Sequence, residues 1–327
     1  MSIPAFSDIA KASNDLLNKD FYHATAASLE VKSKAPNGVS FNVKGKSAHE
    51  GPISGQVEAK YADKPSGTAF RRLSLNVTHP LASHHSNEKW LHRVSIQPSR
   101  AALLMCYQRA GLTLTQTWTT VNSLDTKVEL ENSIAKGLKA EVLTNFLPSS
   151  KAKGAKLNFY FKQPNFHARA FFDLLKGPVA NVDAVVGHEG FLAGAEAGYD
   201  VQKAAITRYS AAVGFTAPEY SAAVTATNNL TVFAASYYHK VNPMVEAGAK
   251  ASWDSKSSNN VGLEVASKYR LDPTSFAKAK INDRGIAALA YNVMLRPGVT
   301  LGLGASFDTQ NLNEAAHKVG ASFTFEA

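Results

Sequence analysis

The chain has a single cysteine, Cys106, among 327 residues. That excludes an internal disulfide framework and the small secreted scaffolds that rely on one. There is also no apolar run of about 20 residues, the length a helix needs to cross a bilayer. Helical spans are thereby excluded, but membrane-crossing strands are not, because they mix lipid-facing and water-facing residues. The first twenty residues lack the basic start and apolar core of a secretory signal. A membrane barrel without such a signal is expected in a eukaryotic organelle. No nucleophile elbow, phosphate-cradling glycine loop or cluster of metal ligands is found. An enzyme is therefore not expected, and no cofactor is called for. Acidic residues are in the minority, 26 against 35 Lys and Arg, leaving a net charge of +9. Such a balance suggests anionic partners, in solution or at a membrane surface.

What is present is alternation. In the last ten residues, Val319, Ala321, Phe323 and Phe325 share one face of an extended strand. Lys318, Gly320, Ser322, Thr324 and Glu326 share the other. The pattern recurs in Leu29–Val31–Ser33, Val57–Ala59–Tyr61, Leu157–Phe159–Phe161, Val261–Leu263–Val265 and Val299–Leu301–Leu303. Turn residues separate such segments, as at Pro36-Asn37-Gly38, Val241-Asn242-Pro243 and Leu271-Asp272-Pro273. Regular spacing of this kind argues a single up-and-down meander. One face is apolar and the other is rich in Lys, Asn, Ser, Thr and Gly, which fits an all-β transmembrane barrel around a hydrated interior. Before it, Pro4 to Lys19 reads as one amphipathic helix, with Phe6, Ile9, Ser13, Leu16 and Leu17 on one stripe. The stripe must lie against a membrane surface or the inner wall of a pore.

Residues 68–111 break the alternation. They hold six basic residues against one acid, Cys106, and His79, His84, His85 and His92. The adjacent histidines point different ways without a supporting carboxylate, so no metal site is expected. If the segment is removed, Pro65-Ser66-Gly67 leads directly into Leu112-Thr113-Leu114-Thr115, a turn followed by a strand. Gly67-Thr68 is compatible with a splice donor and Ala110-Gly111 with an acceptor in the same frame. The segment therefore reads as a translated intron, or else as an irregular, exposed loop at the rim.

Outside that segment the chain resembles the mitochondrial voltage-dependent anion channels, the eukaryotic porins, in a fungal form. Ile3-Pro4-Ala5-Phe6-Ser7-Asp8-Ile9 with Lys11 and Lys19 resembles the family's pore helix, and Gly111 to Trp118 its third strand. Tyr269-Arg270-Leu271-Asp272-Pro273 with Lys278, Lys280-Ile281-Asn282 and Ala288-Leu289 resembles the family signature. Lys318, Gly320, Phe323 and Phe325 resemble the sorting signal read by the mitochondrial barrel-insertion machinery. The resemblance implies a barrel of about 19 strands, a count taken from the family and not from the spacing. The first and last strands would be parallel. Residues 1–22 would form the helix and linker, with the helix inside the pore, and 23–327 the barrel.

The implied activity is voltage-gated, anion-preferring diffusion of ions and metabolites such as ATP, ADP and phosphate across the mitochondrial outer membrane. The alternative is the related protein-import pore of the same membrane. Wall charges set selectivity in a wide pore, and Lys11 and Lys19 are the first candidates for anion contact. Gly137-Leu138-Lys139 resembles the family's nucleotide-contact tripeptide. Implied partners are the lipid bilayer, metabolite anions, the insertion machinery and further copies of the chain, with no nucleic acid. Two departures stand out. Asp20-Phe21-Tyr22-His23 replaces a glycine-rich hinge, and Gln116 stands where some animal members carry a membrane-facing glutamate. Trp118, Trp253, Tyr237 and Tyr238 are candidates for the lipid–water boundary.

Overall fold

The computed structural model describes residues 3–62, 112–131, 135–148, 152–175, 177, 179–256, 261–312 and 317–327. Among them the strands are β1 (Ala27–Lys34), β2 (Val39–Ser47), β3 (Ser54–Ala62), β4 (Leu112–Thr119), β5 (Leu124–Glu131) and β6 (Leu138–Leu147). They continue with β7 (Ala152–Gln163), β8 (Phe166–Asp173), β9 (Val179–His188), β10 (Phe191–Asp200), β11 (Ala205–Thr216), β12 (Tyr220–Thr227) and β13 (Val232–Lys240). The last are β14 (Val245–Asp254), β15 (Val261–Asp272), β16 (Ser275–Asn282), β17 (Ile286–Arg296), β18 (Val299–Asp308) and β19 (Lys318–Glu326).

Consecutive strands pair antiparallel, and β1 joins β19 in parallel, from Ala27 opposite Ala321 to Lys32 opposite Glu326. The parallel seam follows from the odd strand number, since alternating directions leave the first and nineteenth pointing the same way. Closure is what makes the sheet viable in lipid, where an open edge would strand unpaired backbone groups.

Register turns alternation into two faces. Val31, Val43, Val57, Trp118 and Leu124 lie in one row on the outside. Large apolar residues on that face are exposed, among them Val43, Val142, Val213, Leu263 and Phe323, as a lipid-contacting surface requires. Gln116 also lies on the outside, between Ala59 and Thr126. The charged residues at mid-strand, such as Lys60, Lys127, Glu141, Arg169 and Glu196, fall on the inner face.

Two expectations are corrected. Tyr237 is exposed on the outside, but its neighbour Tyr238 points inward and packs against Leu16 and Leu17. Adjacent strand residues take opposite faces, so both cannot line the boundary. The helix expected over Pro4–Lys19 is broken into a 3₁₀ turn, Phe6–Asp8, and α1 (Lys11–Asn18). Ala10 between them is not helical, at φ −98° and ψ 21°. A straight helix over that span would be about 24 Å long and could not hold both ends against a curved wall. After α1, Asp20 takes φ 63° and redirects the chain, a left-handed conformation that Asp tolerates better than most residues. A second 3₁₀ turn, Tyr22–Ala24, leads into β1.

Residues 68–111, with Cys106 and the four histidines weighed for metal, lie outside the described residues. The strands flanking them pair directly, with Ala62 opposite Thr113.

Candidate functional site in the barrel lumen

The N-terminal segment runs around the inner wall from β8 to β19, and the wall is shaped to receive it. Ile3, Phe6 and Ile9 are buried against Val185 of β9, Leu192 of β10, Ala212 of β11 and Ala223 of β12. Leu16 and Leu17 meet Ala266 of β15, and Phe21 meets Ala288 and Ala290 of β17. Each fully buried side chain of this size contributes about 1.5–3 kcal/mol. The inward positions beneath are glycines wherever a methyl group would collide. A Cβ on Gly214 would sit 2.9 Å from Ile9, and one on Gly248 would sit 2.9 Å from Leu16. At Gly304 and Gly320 the obstacle is the backbone of the Tyr22 turn itself.

Polar ties fix the same path. His167 Nδ1 lies 3.3 Å from the Ile3 carbonyl, and Arg169 donates to Ser7 Oγ at 3.3 Å while gripping Asp183 at 3.0 Å. Lys250 donates to Asn14 Oδ1 at 3.4 Å, and the Asn292 amide donates to the Tyr22 hydroxyl. His49 Nε2 lies 2.8 Å from the His23 carbonyl. Burial raises the Tyr22 phenol above its ordinary value; the Asn292 contact opposes this and nearby Asp20 adds to it. Burial lowers the His23 imidazole, and Lys280, Lys318 and His49 push it further down. The ring's Nδ1 is buried without a hydrogen-bond partner among the described residues.

The wall from β1 to β7 carries open charge. Lys34 of β1, Lys46 of β2, Lys60 of β3, and Lys156 and Lys162 of β7 are exposed. None of these five has an acidic partner within ion-pair distance among the described residues. Between β5 and β7 the charges are matched. Lys139 lies 2.8 Å from Glu141 and 3.4 Å from Glu129, and Lys127 contacts the same two carboxylates. The Tyr160 hydroxyl donates to Glu141 Oε2 at 3.0 Å, and Lys139 lies 5.6 Å from the Tyr160 ring centre. Two ammonium groups against two carboxylates make this a neutral patch with a rigid hydrogen-bonded centre.

Sequence-predicted residues are placed as follows. Lys11 and Lys19 are exposed at the two ends of α1. Gly137 occupies the β6 entry turn at φ +83°, where a Cβ would meet the Lys162 carbonyl at 2.5 Å. Leu138 points outward and Lys139 inward, so the tripeptide does not converge on one ligand. In β19, Lys318 and Gly320 face the lumen, while Phe323 and Phe325 face outward. Sequence reading missed the glycine-lined track and the Lys–Glu patch. Alternation alone puts Lys127 with Glu129, and Lys139 with Glu141, on common faces; register across the β5–β6 hairpin was needed to join them.

Comparison with known proteins gives a consistent result. The family profile described as eukaryotic porin matches residues 2–97 and 69–320. The chain is 61% identical over 327 residues to the mitochondrial outer membrane protein porin of Neurospora crassa, with both chains fully covered. It is 48% identical over 327 residues to the mitochondrial outer membrane protein porin of Candida albicans, again covering 100% of each. It is 40% identical over 330 residues to the non-selective voltage-gated ion channel 1 of Saccharomyces cerevisiae, at 100% coverage of each.

Proposed function

The chain belongs to the eukaryotic porin family, voltage-gated β-barrel pores of the mitochondrial outer membrane, and from that premise we propose an anion-preferring path for ATP, ADP and phosphate. The observation that carries this reading is the set of exposed lysines on the bare wall, Lys34, Lys46, Lys60, Lys156 and Lys162. Fixed positive charge along a wide hydrated pore raises the local concentration of anions without stripping their water. Lys11 and Lys19 add to that field from α1. Lys139 contributes less, because a phosphate must displace Glu129 or Glu141 to reach it. The test is the reversal potential of the purified chain in a planar bilayer under a salt gradient, with ATP efflux from liposomes measured alongside. Anion-directed potential and ATP efflux are expected. A cation-directed potential overturns the preference, and conductance that requires added subunits favours an import pore.

The C-terminal address is read before the barrel closes. Once folded, Phe323 and Phe325 face lipid and Gly320 lies under the Tyr22 turn, so insertion machinery must engage an unpaired β19. Phe325→Ser is expected to stall assembly in isolated mitochondria while leaving refolding in detergent intact. Equal assembly of both forms removes this role.

Residues 68–111 are read as a translated intron. The pairing of Ala62 with Thr113 supports this, because excision leaves a short turn between two strands already in register. Transcripts that join the Gly67 codon to Leu112 are expected, and uniformly unspliced messages would refute the reading.

A further inference from the structure

We propose that Lys278 of β16 is a clamp that holds the pore helix to the barrel wall, a positioning residue and not an anion contact of the lumen. By alternation Lys278 and Lys280 share the wet face of β16, and two such lysines read as a cationic patch. The structure separates them. Lys280 stays partly open, whereas Lys278 is 3% exposed and lies beneath the chain that leaves α1.

Its ammonium is turned toward that chain. Lys278 Nζ donates to the Lys19 carbonyl at 2.7 Å and to the Asp15 carbonyl at 3.2 Å. The Asp20 carboxylate lies 4.0 Å away, and the Phe21 ring centre 5.0 Å away. An ammonium has three donors and no acceptor; here two of them meet carbonyls, and the carboxylate adds charge at longer range. Those carbonyls lie in the last turn and C-cap of α1, where the helix dipole concentrates negative charge. Among the described residues, no other side-chain cation donates to the backbone of α1 or its C-cap.

The need for a clamp follows from the helix itself. Eight residues are too few for an isolated helix to persist in water. Leu16 and Leu17 attach one stripe of it to Ala266 and Tyr238, but an apolar stripe on a wall of small residues permits sliding. Directional bonds from one wall lysine to the last turn fix both height and rotation. Because the charge is matched and covered, it adds little to the field of the open pore. The inference is independent of the proposed anion preference, since it concerns where the helix sits.

The test uses the full chain with Cys106→Ser and Ser13→Cys. Ser13 is 3% exposed within α1, so modification of the new thiol by a water-soluble maleimide reports how often the helix leaves the wall. Lys278→Met keeps the aliphatic stem and removes the donors. It is expected to raise the modification rate roughly tenfold, the scale of one charge-assisted hydrogen bond. Lys278→Arg, which retains charge and donors, should stay close to the parent. The reversal potential of Lys278→Met should match the parent, while Lys60→Met lowers anion preference. An unchanged rate in Lys278→Met overturns the clamp. So does an equal rise in Lys278→Met and Lys278→Arg, which would make the residue a space-filler. A selectivity loss as large as that of Lys60→Met would return it to the lumen.

Discussion

The wall from β8 to β19 and the wall from β1 to β7 obey the same period of two, yet they differ in their residues. Under the N-terminal segment the inward positions include Gly194, Ala212, Gly214, Ala223, Gly248, Ala266 and Ala288, and bulk at the glycines would collide with the chain above. Opposite, the inward positions are lysines, glutamates, threonines and asparagines, and nothing among the described residues covers Lys34 or Lys60. Small residues let a backbone approach closely, while long charged ones keep the lumen wet and set its field. One part of the lumen is a bed for a helix, and the other part is left open.

The strongest way to break that contrast is to put bulk on the bed. Gly214→Val forces atoms against Ile9 and the Ala222 carbonyl, an overpacking expected to cost about 1–3 kcal/mol. It should release the N-terminal segment, measured by thiol accessibility at position 13 and by thermal denaturation. Gly154→Ala on β7, where the nearest atom is Asn145 Cβ at 3.6 Å, should change stability by less than about 0.5 kcal/mol. If both behave alike, the two walls do not differ in the way described.

Next in size is the neutral patch. Glu141→Gln leaves Lys127 and Lys139 sharing one carboxylate. Stability should fall by about 1–2 kcal/mol, less than for a fully buried pair, because the lysines are one-third exposed. The reversal potential should move toward anions, and no movement would mean that the patch does not contribute to the field. Smaller still is Lys60→Glu on the bare wall. It should reduce anion preference and leave the melting temperature unchanged; a loss of stability would show that this lysine supports the fold.

The smallest effect sits where the two walls meet, at His23. Burial and the neighbouring Lys280, Lys318 and His49 hold its ring below the ordinary histidine value. The docked linker therefore favours the neutral ring. Its contribution is complete above pH about 6.5 and is lost as pH falls through the lowered value. Helix docking should weaken modestly on acidification, with His23→Gln flattening the dependence. A pH response that survives the substitution points to another group.

Much of this was legible in advance, and the limits have physical causes. Alternation in β18 and β19 identifies their lipid faces without a structure, because side-chain direction along a strand depends on nothing but parity. The same rule, applied strictly, separates Tyr237 from Tyr238. The broken helix was not legible, since Ala10 has good helix propensity and yields only to the curvature of the wall. Asp20 in place of a hinge glycine predicts lost flexibility, but not that an aspartate would supply the left-handed turn. Lys139 and Lys278 look alike in sequence, each a lysine on a wet face.

Sequence alone settled that this chain makes two-faced strands, that their greasy side meets lipid, and that basic residues outnumber acidic ones. Those properties are local, set by residue type and by a repeat of two. Only the closed barrel decided which lysines stay open to the lumen, which are matched by carboxylates and which lie under the helix. Such fates depend on contacts between residues far apart in the chain, as between Lys278 and Lys19, and register across the closed ring brings them together.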